Sequence, residues 1–296
     1  MTTSQLDSLV ALLRARPAPP EQDVVQSRAR FERTAAFLGG APDATCEAVD
    51  AGGVPAEWVS APGCDPQRAV LYLHGGGYAI GSINTHRRLA YDISAASGAR
   101  LLVIDYRLAP EHPFPAALED ATAAWRWLLQ QDLAANRLAI AGDSAGGGLV
   151  IATLVKLRDD QIALPACSVA ISPWVDLEGV GNSLTTRAAQ DPMVQKEGLL
   201  WMAKMYLNGK DARTPLAAPL HADLKGLPPM LVQVGTAETL LDDATRIAEK
   251  LHADGVDVRL AVWPNMLHVF PLFAPILSEG RDGCREIGSF IRNKTA

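Results

Sequence analysis

Four cysteines in 296 residues are too few and too scattered to build a disulfide framework. Cys46, Cys64, Cys167 and Cys284 form no CxxC pair and have no histidine nearby at metal-ligand spacing. That excludes the usual zinc patterns, and reduced structural thiols are expected. Basic blocks are also missing. The formal net charge is -6 and the signs are mixed along the chain, so no stretch could track a phosphate backbone, and nucleic acid is not an expected partner. No run reaches the roughly 18 apolar residues that a bilayer span requires. The first stretch, with polar Thr2, Ser4, Gln5 and Asp7, lacks the basic start, apolar centre and small-residue cleavage site of a signal peptide. It reads as a short amphipathic helix. These absences point to a cytoplasmic protein without stable membrane association. No internal repeat of fixed period is present, and the proline-punctuated stretch 17–20 is only a local linker signal.

What is present is globular: 48% hydrophobic and 20% charged residues leave ample material for a large core. A wound sheet of this length commonly folds as one unit, so one domain plus a small cap is expected. Short apolar runs at 69–73, 101–105, 138–141, 168–172, 230–234 and 258–262 read as strands. Helical periodicity lies between or after them at 115–130, 145–158, 242–254 and 280–293. This alternation predicts an α/β fold with a mostly parallel central sheet flanked by helices. Two stretches break it. Residues 1–46 are helical before any strand begins, and the stretch from about 176 to 229, with a helical segment at 195–207, exceeds what a crossover needs. The expected division is an N-terminal cap at 1–46, an inserted cap at 176–220, and a core of 47–175 with 221–296. Both cap pieces should lie over the C-terminal edge of the sheet, where open α/β sheets bind ligands.

Gly142-Asp143-Ser144-Ala145-Gly146 fits G-x-S-x-G, with an apolar strand before it and a helix after it. That context predicts a nucleophile elbow, in which a strained turn lifts Ser144 clear of the sheet and the helix start favours negative charge. A glycine-rich helix start without chemistry is the competing reading. His74-Gly75-Gly76-Gly77-Tyr78 follows the first predicted strand, and its glycines let bare N–H groups approach an acyl oxygen, as an oxyanion hole requires. A plain tight turn is the alternative there. In this fold the order is serine, acid, histidine, so His221, His252 and His268 are the candidates for the base. His268, just after the last strand, stands at the correct sheet edge. For the acid, Glu238, Asp242 and Asp243 follow the fifth predicted strand; Glu238 is nearest its end, and the two aspartates suit a helix N-terminus.

The HGGG run, the segment Asp105-Tyr106-Arg107-Leu108-Ala109-Pro110-Glu111, the GDSAGG elbow and Met266–His268 together resemble the hormone-sensitive-lipase-like bacterial esterases, which have the α/β-hydrolase fold. The resemblance implies a carboxylesterase acting on short acyl chains, with a helical cap. It implies that the N–H groups of Gly76, Gly77 and Ala145 form the oxyanion hole. The family's acid is usually aspartate; here Glu238 occupies the matching position and takes that role. Tyr78 and Asp143 are further candidates for substrate contact, with a structural hydrogen bond at the elbow as the other reading of Asp143. The 105–111 segment reads as scaffold, with Arg107 and Glu111 as a local ion pair. By analogy with relatives, a homodimer could form through the last strand and helix.

The chemistry expected is acyl transfer to Ser144 by a Ser144–His268–Glu238 triad, with a small-molecule ester as substrate and no metal or organic cofactor. An amidase or peptidase on the same fold is the runner-up. A catalytically silent ligand receptor is the alternative of a different class.

Overall fold

The computed structural model describes residues 4–15, 23–41 and 43–296. The stretch 17–20, read above as a linker, lies outside the described residues. Two helices come first, α1 (Gln5–Arg14) and α2 (Val24–Phe37). Each begins on a side-chain cap, Ser4 accepting from the Asp7 N–H and Asp23 from the N–H groups of Val25 and Gln26. The order then runs β1 (Thr45–Asp50), β2 (Pro55–Ser60), β3 (Asp65–Leu73), α3 (Ile83–Ser97), β4 (Ala99–Ile104), α4 (Ala116–Leu128), β5 (Leu138–Asp143), α5 (Ala145–Asp159) and β6 (Cys167–Ile171). After β6 the chain makes a long excursion containing α6 (Ser183–Thr186) and α7 (Lys196–Leu207). It returns through β7 (Met230–Gly235), α8 (Leu241–Ala253), β8 (Val258–Trp263) and α9 (Ser278–Lys294).

The eight strands form one sheet in the order β1-β2-β4-β3-β5-β6-β7-β8. Pairing is antiparallel from β1 to β2 and from β2 to β4, and parallel everywhere else. The inner parallel strands β4, β5, β6 and β7 and the second half of β3 are apolar because both faces are covered, whereas β8 is a partly exposed edge. Alternate residues serve opposite layers, as a period of two requires. Leu71, Leu73, Leu102 and Ile140 pack with Trp125 of α4, Leu149 of α5 and Ile247 of α8. Val70, Tyr72, Leu101 and Val169 pack with Ile93 of α3 and Ile287 of α9.

Three elements depart from the sequence expectation. The hairpin β1–β2 was not expected, so the glycine-rich loop follows the third strand and not the first. β1 is an edge strand, exposed at nearly every position, and such a strand carries no alternation of apolar residues to read. Helix α3 was also unexpected; its buried face includes Thr85, His86, Ser94 and Ser97, which dilutes the helical apolar stripe. The third departure is the ion pair Arg107–Glu111. Arg107 instead pairs with Asp120 at 2.7 Å and Glu119 at 3.1 Å, and Glu111 pairs with Arg28 of α2 at 2.7 Å.

No described helix is long and apolar enough to cross a membrane.

Candidate active site

The C-terminal ends of β3, β5, β6, β7 and β8 bring the chemistry together. At the end of β5, Ser144 has φ 54 and ψ -121, outside the regions L-residues prefer, and α5 begins at the next residue. The turn is held on both sides. Ser144 donates its N–H to the Ile171 carbonyl at 2.8 Å, and its own carbonyl accepts from the N–H groups of Trp174 and Gly148 at 2.9 and 3.1 Å. A side chain at Gly146 would run into the Leu73 carbonyl of β3, so the elbow fits against the neighbouring strand only with glycine there.

His268, in the loop after β8, places Nε2 3.0 Å from Ser144 Oγ. Its Nδ1 lies 2.8 Å from Glu238 Oε2. Glu238 is wholly buried, and its other oxygen, Oε1, accepts from Gly235 N–H at 2.6 Å and from the Ser172 hydroxyl at 2.8 Å. Burial disfavours a charged imidazole, but the hydrogen bond and charge of Glu238, with the charges of Asp191 and Asp143, outweigh it and raise the His268 pKa. That suits a base which must hold a proton during the reaction.

The other histidines stand elsewhere. His74 is buried and stacked on Tyr106 at 4.2 Å, and burial, reinforced by His86, pushes its pKa down to about 3. His86 meets Asp143, His221 meets Glu178 at 3.4 Å, and His112 and His252 are exposed. Of the three candidate acids, Glu238 alone meets His268. The aspartates do more than complement the helix dipole. Asp242 accepts from Ser183 N–H, and Asp243 from the N–H groups of Val175 and Asp176, all at 3.0 Å. Burial pushes the Asp243 carboxyl up to about 7 against those hydrogen bonds and the nearby Arg246.

The loop after β3 turns sharply at Gly76, with φ 116, where an added Cβ would strike the Ile80 carbonyl. Among the described residues, the N–H groups of Gly76, Gly77 and Ala145 take no hydrogen-bond partner. These free donors lie on the helix start next to Ser144 and on the loop tied to Asp143 through Gly75, and an oxyanion needs donors of this kind. Asp143, a candidate substrate contact, is instead turned into the fold. It is 3% exposed, and its oxygens accept from Tyr72 Oη at 2.7 Å and Gly75 N–H at 3.1 Å and meet His86 Nε2 at 3.3 Å. It braces the glycine loop from beneath. Burial opposes its charge, yet His86 and the Tyr72 hydroxyl keep its pKa below the ordinary value. Tyr78 is buried with its ring stacked 3.7 Å from that of Tyr206 on α7, and the Met202 side chain lies against Gly77. Helix α7 therefore roofs the glycine loop. From the other side Arg28 of α2 donates to the Ala79 and Ala109 carbonyls at 2.8 and 2.9 Å.

Two residues in contact with the acid loop were not singled out from the sequence. Ser172 stands directly after β6, at the strand end where ligands gather in this fold, and that position was the available signal. Asp191 is buried within the excursion and accepts from the Thr239 N–H at 2.9 Å and hydroxyl at 3.2 Å; nothing in the local sequence marks it. The described side chains offer one constellation of metal-ligand type, Asp176, Glu178 and His221. Asp176 is already paired with Arg246 at 2.8 Å, and none of the three touches Ser144 or His268.

Comparison with known proteins identifies the family. The family model described as the alpha/beta hydrolase fold matches residues 70–272. An acetyl-hydrolase of Streptomyces hygroscopicus is 44% identical over 273 residues, covering 92% of this chain and 91% of its own. An ethyl acetate hydrolase of Pseudomonas putida is 31% identical, covering 87% of this chain and 86% of its own. The crystal structure of an esterase from the bacterial hormone-sensitive lipase family superposes with a TM-score of 0.97 at 48% identity, covering 100% of both chains. By fold, sequence and site architecture the chain belongs to the α/β-hydrolases and, within them, to the bacterial hormone-sensitive-lipase family of carboxylic ester hydrolases.

Proposed function

We propose that this enzyme hydrolyses small esters with short acyl chains through an acyl-enzyme on Ser144. The observation that carries the reading is one continuous chain, Glu238–His268–Ser144, with N–H groups without partners on the adjoining helix start and on the glycine loop tied to Asp143. His268 Nε2 takes the hydroxyl proton as Ser144 Oγ bonds to the ester carbonyl carbon. The carbonyl oxygen becomes an oxyanion held by the N–H groups of Gly76, Gly77 and Ala145. When the C–O bond breaks, His268 returns the proton to the leaving alcohol. Water then gives a proton to His268 as its oxygen bonds to the acyl carbon, and when the bond from that carbon to Ser144 Oγ breaks, His268 returns the proton to Oγ and the acid leaves. Glu238 stabilises the imidazolium throughout, and the scheme calls for no metal or organic cofactor.

The N-terminal segment 1–46 and the inserted segment 176–220 act as the cap. Support comes from α2 gripping the carbonyls of Ala79 and Ala109, and from Met202 and Tyr206 of α7 lying over Gly77 and Tyr78. A roof so close to the oxyanion loop limits the depth available to an acyl chain, and the names of the acetyl-hydrolase and ethyl acetate hydrolase relatives point the same way. A homodimer through β8 and α9 fits the sheet edge, where Leu260 and Val262 are 37% and 43% exposed on the terminal strand. A cytoplasmic location fits the four cysteines, all unpaired.

The test is a hydrolysis profile over p-nitrophenyl esters of increasing acyl length, with Ser144→Ala alongside. Turnover should peak at about four to six acyl carbons and fall by a factor on the order of 10⁶ in the variant. A profile still rising at long chains overturns the cap reading, and a Ser144→Ala enzyme of normal turnover overturns the nucleophile.

A further inference from the structure

The loop after β6 carries a buried hydroxyl that the mechanism above leaves unused. Ser172 is inaccessible to solvent, and its Oγ lies 2.8 Å from Glu238 Oε1 and 3.0 Å from the backbone nitrogen of Val269, the residue after His268. The direction of this chain follows from its chemistry. The Val269 N–H can only donate, and a carboxylate can only accept. The hydroxyl therefore accepts from Val269 and sends its proton to Glu238. One side chain thus touches the acid and the turn that carries the base.

We infer that Ser172 is a positioning residue that fixes the orientation of Glu238 relative to His268, an inference that rests on reading those two residues as acid and base. Glu238 folds back so that Oε1 takes two donors, Gly235 N–H and Ser172 Oγ–H. With one oxygen anchored twice, the carboxylate plane is set and Oε2 is left facing Nδ1 of His268. The Val269 N–H polarises the hydroxyl and strengthens its bond to the carboxylate, as linked hydrogen bonds do. Backbone geometry points the same way. Ser172 and Val269 have φ values of 45 and 49, a region that costs a side-chain-bearing residue and costs a β-branched one most. Strain of this kind persists where the surroundings hold it and gathers at functional sites. Here both strained residues meet at the same hydroxyl.

Two substitutions separate the hydroxyl from the backbone. Ser172→Ala removes the hydroxyl and keeps the strain, whereas Ser172→Gly removes the hydroxyl and relieves the strain. Glycine also supplies a folded variant where alanine does not. Both should lower kcat about 10- to 100-fold on p-nitrophenyl butyrate with KM nearly unchanged, the scale of a lost hydrogen bond to a charged group. Wild-type kcat in either folded variant overturns the inference. A double-mutant cycle then asks whether Ser172 acts through the acid. In a Glu238→Ala background, Ser172→Ala should cost less than about a further two-fold. If the two losses multiply in full, Ser172 serves the fold and not the acid, and the inference fails. Should Glu238→Ala itself retain wild-type turnover, the assignment of the acid falls and takes this inference with it. Full activity of Ser172→Ala beside an inactive Glu238→Ala removes the inference alone.

Discussion

Shortening residue 238 by one carbon draws its charge away from the imidazole and also from the Gly235 N–H and the Ser172 hydroxyl that hold its other oxygen. Glu238 Oε2 lies 2.8 Å from His268 Nδ1, and Glu238→Asp draws the carboxylate back by one carbon–carbon bond, about 1.5 Å. At an effective dielectric constant near 20, the attraction between carboxylate and imidazolium is about 6 kcal/mol at the native spacing and about 4 kcal/mol after retraction. The imidazolium forms as the serine attacks, so the difference of about 2 kcal/mol falls on the barrier, and kcat should drop ~30-fold. Glu238→Gln keeps the shape of the side chain and removes the charge. Its kcat should drop by roughly 10³ to 10⁴. The assay is turnover of p-nitrophenyl butyrate on the pH plateau, with a melting curve for each variant to show that both are folded. A glutamine enzyme as fast as the aspartate enzyme would refute the reasoning, because the charge would then contribute nothing.

Gly76→Pro removes one free N–H and forces φ from 116 to about -65, so turnover should fall at least about 10²-fold in a variant with native circular dichroism; unchanged activity would reduce the glycine loop to a turn. For pH dependence, burial alone would lower the His268 pKa, and the charges of Glu238, Asp191 and Asp143 raise it. The neutral imidazole is the active base, so Asp191→Asn should lower its pKa and move the acid limb of kcat/KM to lower pH, whereas an acid limb left in place would show that Asp191 serves structure only.

Legibility in the sequence followed the range of the interactions involved. The six strands β3 to β8 could be read because burial or alternation marks each one within a few residues. β1 could not, since an exposed edge strand needs no apolar pattern to pair; β2 was missed although it buries Ala56, Trp58 and Val59, and α3 hid behind the polar residues it buries. Ser144, the glycine loop and His268 were legible because a tight turn and a strand end leave local signatures. Glu238 was legible by its place after β7. Side-chain direction was not. A structural hydrogen bond was one of the two readings of Asp143, but its partners Tyr72, Gly75 and His86, which draw the carboxylate under the loop, could not be named from the sequence. Ser172 meets Glu238 across 66 positions and Val269 across 97, and Asp191 meets Thr239 across 48. Contacts between residues that far apart are created by the strand order and have no trace in a local window.

The excursion after β6 is tied to the acid loop rather than resting over it. Ser183 Oγ donates to the Thr239 carbonyl at 2.6 Å, and Ser183 N–H donates to Asp242 Oδ2 at 3.0 Å. Asp243 accepts from the N–H groups of Val175 and Asp176, Arg246 pairs with Asp176 at 2.8 Å, and Asp191 holds Thr239. These bonds fall on residues 239–246, immediately after Glu238. A shift of the inserted segment therefore pulls on the carboxylate that orients His268. The same segment supplies Met202 and Tyr206 against Gly77 and Tyr78 of the glycine loop. The segment proposed to cap the acyl site is thus also the one bonded to the loop that carries Glu238. A change in that segment that enlarges the proposed acyl site should alter kcat together with KM on p-nitrophenyl butyrate, because the segment reaches Gly77 through Met202 and Thr239 through Asp191; a change in KM alone would refute the coupling.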